Sequence, residues 1–466
     1  MANAGQTHGK TSGTKVATTQ SYVRDFIKLF PNSSNGEFTD IKNLINRIIF
    51  KENIRQGSVI CEIDVLDGLN MLETFKLSGG EKVEIQISQD SPLEKHTLRR
   101  TFFVSDIINH VKPRPGYQTY QLICISEYAY LNNLIRLDRD FQGSPGKLIK
   151  NILSRDLQVD DNDINVVNTS SGSIMQGIYP RLKPLDAINW LNRNSFDENT
   201  PFYFYDTLHK GITFNSLKEM IAEESDIEYI HKPFFKIFKN EEEEFKDSRK
   251  RIRKLSSNLG MSKFNQAGKG SYSSSLTSID IATKEVVEDS EYRYNDDFAI
   301  KDHKIENVKR KANKPFSTET KFLDKELNNF PQARRYNISL NSLAFDKKNY
   351  HDHVPTFIQK SEAIKNGFDY MSMELLLNGD FRLHCGKMAS VIIPKSTSKG
   401  LTKSSKEVDE VLSGSYMVTN IIHEFNLDEY IMNVVMKKDS TLMNLEGAID
   451  FNIGVTDKIE WEKMIL

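Results

Sequence analysis

Paired cysteine is the first thing this sequence lacks. Cys61, Cys124 and Cys385 are the only three in 466 residues, and no two share a disulfide or metal-ligand spacing. A disulfide-stapled scaffold is therefore a poor description, and folding in a reducing compartment is expected. Surplus charge of either sign is also missing: 62 Lys and Arg face 64 Asp and Glu, for a net charge of -2. That argues against a chain held on nucleic acid by bulk charge, whose footprint is strongly basic. No apolar run reaches the roughly 18 residues of a transmembrane helix, and the first 20 residues lack the apolar segment of a signal peptide. Hydrophobic content is a lean 38%, which suggests much surface or wet interfaces. With 27 Phe and 17 Tyr, wholesale disorder is nevertheless not expected.

The length corresponds to about three domains. Residues 1–21 read as a flexible arm. Gly9-Lys10-Thr11 inside it has the look of a phosphate loop, but Gly5 and Gly9 are too close for the required spacing. No strand precedes it and no apolar helix follows, so nothing would aim backbone N–H groups at phosphate. From Tyr22 the chain is patterned. Val59, Cys61, Ile63 and Val65 alternate with mostly polar neighbours, as do Val83, Ile85 and Ile87, the period of half-buried antiparallel strands. Ser78-Gly79-Gly80 marks a turn before the second of these. Further strands are expected near Arg100–Val104 and Tyr120–Ser126, giving a first β domain over 22–138.

The grammar then changes. Ser144-Pro145 and Pro184 each open a helix; Leu185, Ile188 and Leu191 fall on one face of the second, beside Trp190. Pro201-Phe202-Tyr203-Phe204-Tyr205 and Gly211-Ile212-Thr213-Phe214 read as a hairpin, completing an α+β domain over 139–222. Glu241–Glu244 lead into a basic run from Lys246 to Lys254, and a Gly/Ser-rich stretch, 256–275, precedes a strand-like run over 279–287. Residues 291–364 are polar and broken by Pro315, Pro331 and Pro355, as a peripheral insertion would be. Strand pattern returns with Leu375–Leu377, Asn378-Gly379 and Phe381–Leu383, which read as an Asn-Gly hairpin. Tyr416–Ile422 and Tyr430–Met436 follow, joined through His423-Glu424-Phe425. A second β domain is thus expected, split over 223–290 and 365–445, with a tail at 446–466.

Leu77-Ser78-Gly79-Gly80-Glu81, the helix Pro184-Leu185-Asp186-Ala187-Ile188-Asn189-Trp190-Leu191 followed by Pro201–Phe204, and Ser413-Gly414-Ser415-Tyr416-Met417-Val418 with His423 and Tyr430 occur in a telling order. Together they resemble the baseplate central hub proteins of contractile-tailed bacteriophages, whose hub region is shared by the type VI secretion spike protein. The resemblance spans about 22–222 and 365–440. It implies a mainly β fold with α+β: two tube-like antiparallel β-barrel domains flanking an α+β domain, plus the insertion. It also implies a homotrimeric structural virion protein, assembled in the host bacterial cytoplasm, whose ring of six similar barrels joins a threefold spike to a sixfold tail tube. Its partners would be a trimeric spike, a tube or tube-initiator protein, and baseplate wedge proteins. Genomic DNA would pass without being gripped, since many Lys or Arg contacts would bind it through counterion release. Secretion spike proteins continue into a small barrel and a β-helix. Here no such segment follows the last strands, so the spike is expected on another polypeptide.

No catalytic, cofactor-binding or metal residues are assigned. His351-Asp352-His353 has no third ligand nearby, and His384 and Cys385 would face opposite sides of a strand. His423 reads as a hydrogen-bonded core or interface histidine. A peptidoglycan hydrolase would need two carboxylates at a fixed separation, and none of the acidic residues sits in a local signature. The other alternative is a glycan- or receptor-binding module using the aromatics of 201–205.

Overall fold

A computed structural model of the chain describes residues 22–439, apart from 33–35, 91–94, 167–174, 198–199, 224–225, 232–240, 260–262, 281–283, 295–320, 327–328, 331–332, 340–353, 369–370, 396–407 and 428. The Gly9-Lys10-Thr11 segment, His351-Asp352-His353, the N-terminal arm and the 446–466 tail lie outside the described residues.

The chain is mainly β with helices between. The first run of strands is β1 (Val23–Phe30), β2 (Thr39–Asp40), β3 (Ile45–Asn53), β4 (Ile60–Asp67), β5 (Lys82–Asp90), β6 (Lys95–Arg114) and β7 (Tyr117–Ser126). Alternation decides which face each buries: Cys61, Ile63 and Val65 of β4 and Val83, Ile85 and Ile87 of β5 are all at most 2% exposed. The middle of the chain supplies β8 (Asp140–Gly143), β9 (Ile164–Val166), β10 (Met175–Ile178), β11 (Phe196–Asp197), β12 (Thr200–Thr207) and β13 (Gly211–Ser216). Between them lie the helices Pro145–Asn151 and Pro184–Arg193, each begun by its proline. Ala187, Ile188 and Leu191 of the second helix are fully buried against Phe202, Phe204 and Phe214 in a core of their own.

The later strands are β14 (Glu228–Ile230), β15 (Ile252–Leu259), β16 (Ser273–Asp280), β17 (Glu285–Arg293), β18 (Lys321–Phe322), β19 (Lys325–Glu326), β20 (Ala333–Ser339), β21 (Met371–Asn378), β22 (Met388–Ile392), β23 (Gly414–Phe425) and β24 (Tyr430–Lys438). β16 pairs with β17 and, in parallel, with β20, forming a separate three-stranded sheet. The helix Val354–Gly367 holds to it through Gln359, which donates to Ser274 O at 2.8 Å and accepts from Ser290 Oγ.

Two β units were expected, and the structure joins them in one sheet of thirteen strands, in the order β15-β21-β24-β23-β3-β4-β7-β6-β5-β1-β2, with β22 and β14 branching from β23. The join is β23. Its first residues, Gly414–Met417, pair with β22, and its last, Asn420–Phe425, pair antiparallel with β3. Each unit curls back on itself, yet neither closes as a barrel does; among the described residues no ladder completes either circle. In the first unit, Arg24 of β1 bridges the gap instead. It donates to Ile45 O and Asn46 O at the start of β3 and, at 3.2 Å, to Phe425 O. In the second, a single bridge between Ile230 and Arg251 brings β14 back to the start of β15.

The Asn-Gly hairpin is a correction. β21 ends at Asn378 and takes β24 and β15 as neighbours, while Phe381–Leu383 is a turn, not a strand. Gly379 is required for a different reason: a Cβ there would lie 1.9 Å from the Tyr430 ring. That ring is stacked on Phe425 at 4.1 Å and bonded through its hydroxyl to His423, so it has nowhere to go. Gly379→Ala is expected to destabilise the chain by about 3 kcal/mol, as overpacking of a filled core does. A denaturant melt with an unchanged midpoint would contradict this.

Candidate functional site: the outer face and the seam

Register assigns one side of the large sheet to solvent. Starting at β15, Lys254 is opposite Leu376, which is opposite Asn433, then Ile422, then Lys51 of β3. From Lys51 the row continues through Ile60, Ile125, Phe103 and Lys82 to Phe30 of β1. All ten are half-buried or exposed, while the neighbouring row Leu377, Met432, His423, Phe50, Cys61 and Cys124 is buried. One outer face therefore runs unbroken across both units, with Tyr130 resting on Phe103 near one end.

Several charges on this face are matched. Arg47 lies 2.8 Å from Asp64 and 3.5 Å from Glu424, and Lys51 pairs with Glu62 on the next strand. Lys82 bonds Glu84 at 2.7 Å, and this bond holds the Glu84 carboxyl below its ordinary range. Each exposed pair contributes only about 0–1 kcal/mol to stability. The consequence for ligands is larger, because around Arg47, Lys51 and Lys82 the pairing lowers the positive potential that would attract phosphate.

Five of the six cations in the basic run 246–254 are paired as well. Lys246 pairs with Glu242, Arg249 with Asp380, Lys250 with Glu228, Arg251 with Asp247 and Arg253 with Glu429, all within 3.0 Å. Asp380 and Arg249 are buried, at 1% and 8% side-chain exposure, and Arg382 completes the group at 2.7 Å from Asp380. Through Arg249 and Asp380 the basic run thus clamps the helix Glu241–Lys250 to the end of β21.

The seam between the units hides a carboxylate. Glu52 of β3 is 2% exposed; its oxygens accept from Leu208 N at 2.7 Å and Cys385 N at 3.0 Å. His423 Nε2 lies 3.6 Å away, and His423 Nδ1 shares a 2.8 Å hydrogen bond with Tyr430 Oη. Burial would raise the Glu52 pKa, but His423 and the two amide donors outweigh it and hold it at about 2. A second buried carboxylate ties the middle unit to the first. Asp206 accepts from Arg100 at 2.8 Å, Tyr128 Oη at 2.5 Å and Val59 N at 3.3 Å. Burial next to it pushes the Tyr128 phenol well up.

The motif residues are structural. Glu81, 0% exposed, accepts from Ser78 N and Gly79 N, so Leu77–Glu81 is a turn capped by its own glutamate. Gly79 and Gly80 take the left-handed φ of +98° and +86° that this turn needs. Beside Ser413-Gly414, the buried Lys438 donates to Val411 O and Ser413 O. His384 and Cys385 lie in a turn rather than a strand. Both are buried, and His384 Nδ1 is 2.9 Å from Cys385 O. Phe202 and Phe204 are each 3% exposed, so the aromatic platform expected of a glycan binder is core. Among the described residues, no three His, Cys, Asp or Glu come together as a metal site, and no helix is long and apolar enough to cross a membrane.

No protein family and no curated sequence matches the chain. Solved structures do. The tail protein from Neisseria meningitidis MC58 superposes with a TM-score of 0.51 at 8% identity, over 90% of this chain and 97% of its own. The chain has the fold of a tail protein. The 43 kDa tail protein of prophage MuSo2 from Shewanella oneidensis gives a TM-score of 0.49 at 9% identity, over 90% and 100% of the two chains. The E. coli c3393 protein is a type VI secretion system component described as structurally similar to the T4 bacteriophage tail proteins gp27 and gp5. It gives 0.42 at 8% identity, over 87% and 76%.

Proposed function

We propose that this tail-protein fold serves as the central hub of a contractile phage baseplate, a non-enzymatic virion protein working as a homotrimer. The observation that carries the reading is the doubled architecture. Two curled units, each of six principal strands, share one sheet through β23 and β3. Three copies around a threefold axis would present six similar units to a sixfold tube and three equivalent surfaces to a spike. A head-to-tail interface that closes after three copies gives this without open-ended growth. The far side of β15 supports it: beyond the single Ile230–Arg251 bridge no strand covers Ile252–Leu259 among the described residues, and such edges are covered in an assembly or aggregate.

In this reading 22–138 and, from the split 223–290 with 365–445, the strands β14, β15 and β21 to β24 act as the tube-like domains, and 139–222 braces them. The separate sheet of β16, β17 and β20 is peripheral to both. The charge-matched outer face is what the channel offers to DNA in transit. Tube, spike and wedge proteins are the partners. The test is the solution mass of the purified chain alone and with a spike protein, together with top-view images. A threefold ring with six lobes is expected; a chain that stays monomeric with both tube and spike proteins sinks the reading. A cell-wall zymogram should show no clearing.

A further inference from the structure

The large sheet ends in two edges, and they differ. At β1 the core side is closed: Ile27 and Leu29 are 0% exposed. At β15 it is open. Leu255 is half-buried and Ser257 exposed, although Leu375 and Met373, opposite them on β21, are 0% exposed. The backbone is open there as well. Gly379 N donates to Tyr430 O, so in the alternation of an antiparallel ladder Leu377, Leu375 and Met373 bond β24, while Leu376, Glu374 and Ser372 bond β15. Lys254, Ser256 and Asn258 are thereby used, and Leu255 and Ser257 turn their N–H and C=O away from the sheet. Among the described residues nothing beyond β21 bonds to these two. From Leu255 to Leu259 the strand carries no charge, bulge or proline, the devices that blunt an exposed edge.

We propose that residues 449–455 of this same chain lie antiparallel beside β15 as its missing neighbour. β21 runs antiparallel to both β24 and β15, and Lys438, Met371 and Leu259 form one row across the three. The chain therefore leaves β24 at the Leu259 end of β15, and a segment returning from there runs antiparallel to β15. The place beyond β15 is three strand spacings from β24, about 14 Å, and residues 440–448 can span about 30 Å. Such a return to the side of an earlier strand is the Greek-key connection. The sequence of the segment suits the place. Ile449, Phe451, Ile453 and Val455 alternate with Asp450, Asn452 and Gly454, the period of a strand with one face on a core. β15 is divided in the same way, with Lys254, Ser256 and Asn258 exposed on its outer face. Paired in that sense, the four apolar residues roof the core beside Leu255 and Ser257, and the other three join the outer face.

This cover is made within one chain and does not depend on the hub assignment; in a ring the added strand, rather than β15, would meet the next copy. The test is hydrogen exchange of the full chain, read by mass spectrometry with residue-level fragmentation. The amides of Leu255, Ser257, Phe451 and Ile453 are expected to be protected together. In Phe451→Asp/Ile453→Asp the amides of Leu255 and Ser257 should exchange at least about tenfold faster. Ser257→Pro removes an N–H that β21 does not use, so the chain should fold and melt as before while Phe451 and Ile453 lose their protection. Thermal melts of both variants check the fold. Under air oxidation Ser257→Cys/Phe451→Cys should form a disulfide within one chain, since facing strand positions meet the distance that bond requires. Unprotected 449–455 in the unaltered chain, or protection that survives Ser257→Pro, overturns the proposal. A bond between chains in the double-cysteine variant overturns it in favour of a second copy. Rings with 449–455 unprotected would leave the hub reading standing and sink this one alone.

Discussion

Glu52→Ala is expected to lower the unfolding free energy by about 3–5 kcal/mol, since it strands two buried amide donors and opens a cavity. Those donors, Leu208 N and Cys385 N, come from the middle and second units, and Glu52 itself belongs to the first. The variant should therefore loosen the junction of all three. Glu52→Gln keeps an acceptor and the side-chain volume, so it should cost less and alter the pH profile instead. The folded carboxyl sits at about 2 against an ordinary 4.5. Between those values the unfolded chain binds more protons than the folded one. The Glu52 contribution is thus fully present above about pH 4.5 and is lost as pH falls through about 2. It amounts to about 3 kcal/mol. Chemical denaturation from pH 7 to pH 2 should show a shallower acid limb in Glu52→Gln; identical limbs would mean that Glu52 is not the group that titrates.

Glu62→Lys/Asp64→Lys is expected to turn an indifferent surface into one that holds DNA. The two carboxylates neutralise Lys51 and Arg47 on the adjacent strand. Reversing both leaves four cations together on the outer face of each chain. Glu424 still lies 3.5 Å from Arg47, so with three phosphate contacts the counterion-release slope predicts roughly a fortyfold fall in affinity between ~50 and ~200 mM salt. The unaltered chain should show weak binding with little slope. All four positions are at least partly exposed and in strand, so folding should survive. Filter binding of duplex DNA across salt measures this, and equal slopes in the two proteins would mean that the pairs do not set the potential of the face.

Much of the fold was legible because it rests on local period. Alternation placed β4, β5, β7, β23 and β24, and the prolines at 145 and 184 placed two helices. What period two cannot carry is which strand lies next to which. Nothing local says that Asn420–Phe425 pairs with Ile48–Asn53, so two β units were legible and their common sheet was not. The length of β6, twenty residues, escaped because its bulges at Val104/Asp106, Ile108/Val111 and Val111/Arg114 break the alternation. Asn378-Gly379 misled because glycine serves two purposes, and here it admits the Tyr430 ring. The aromatic run at 201–205 misled for a related reason, since strand β12 is buried on both sides and shows no alternation at all. At the seam, Glu52 gave no signal: a glutamate in an alternating strand reads as surface, and only tertiary pairing buries it.

Sharing β23 between the units sets an order of events during synthesis. Arg24 and the Phe425 carbonyl that it reaches are 401 residues apart, and the open side of β3 is not covered until the last strands exist. At ~5–20 residues per second, on the order of half a minute passes between the two. Through that interval the first unit stands on the ribosome with Ile48–Asn53 unpaired on one side and Glu52 without its Cys385 donor. The early half of the chain is therefore a template waiting for its own end, and any strand that arrives first competes with β23 for the place.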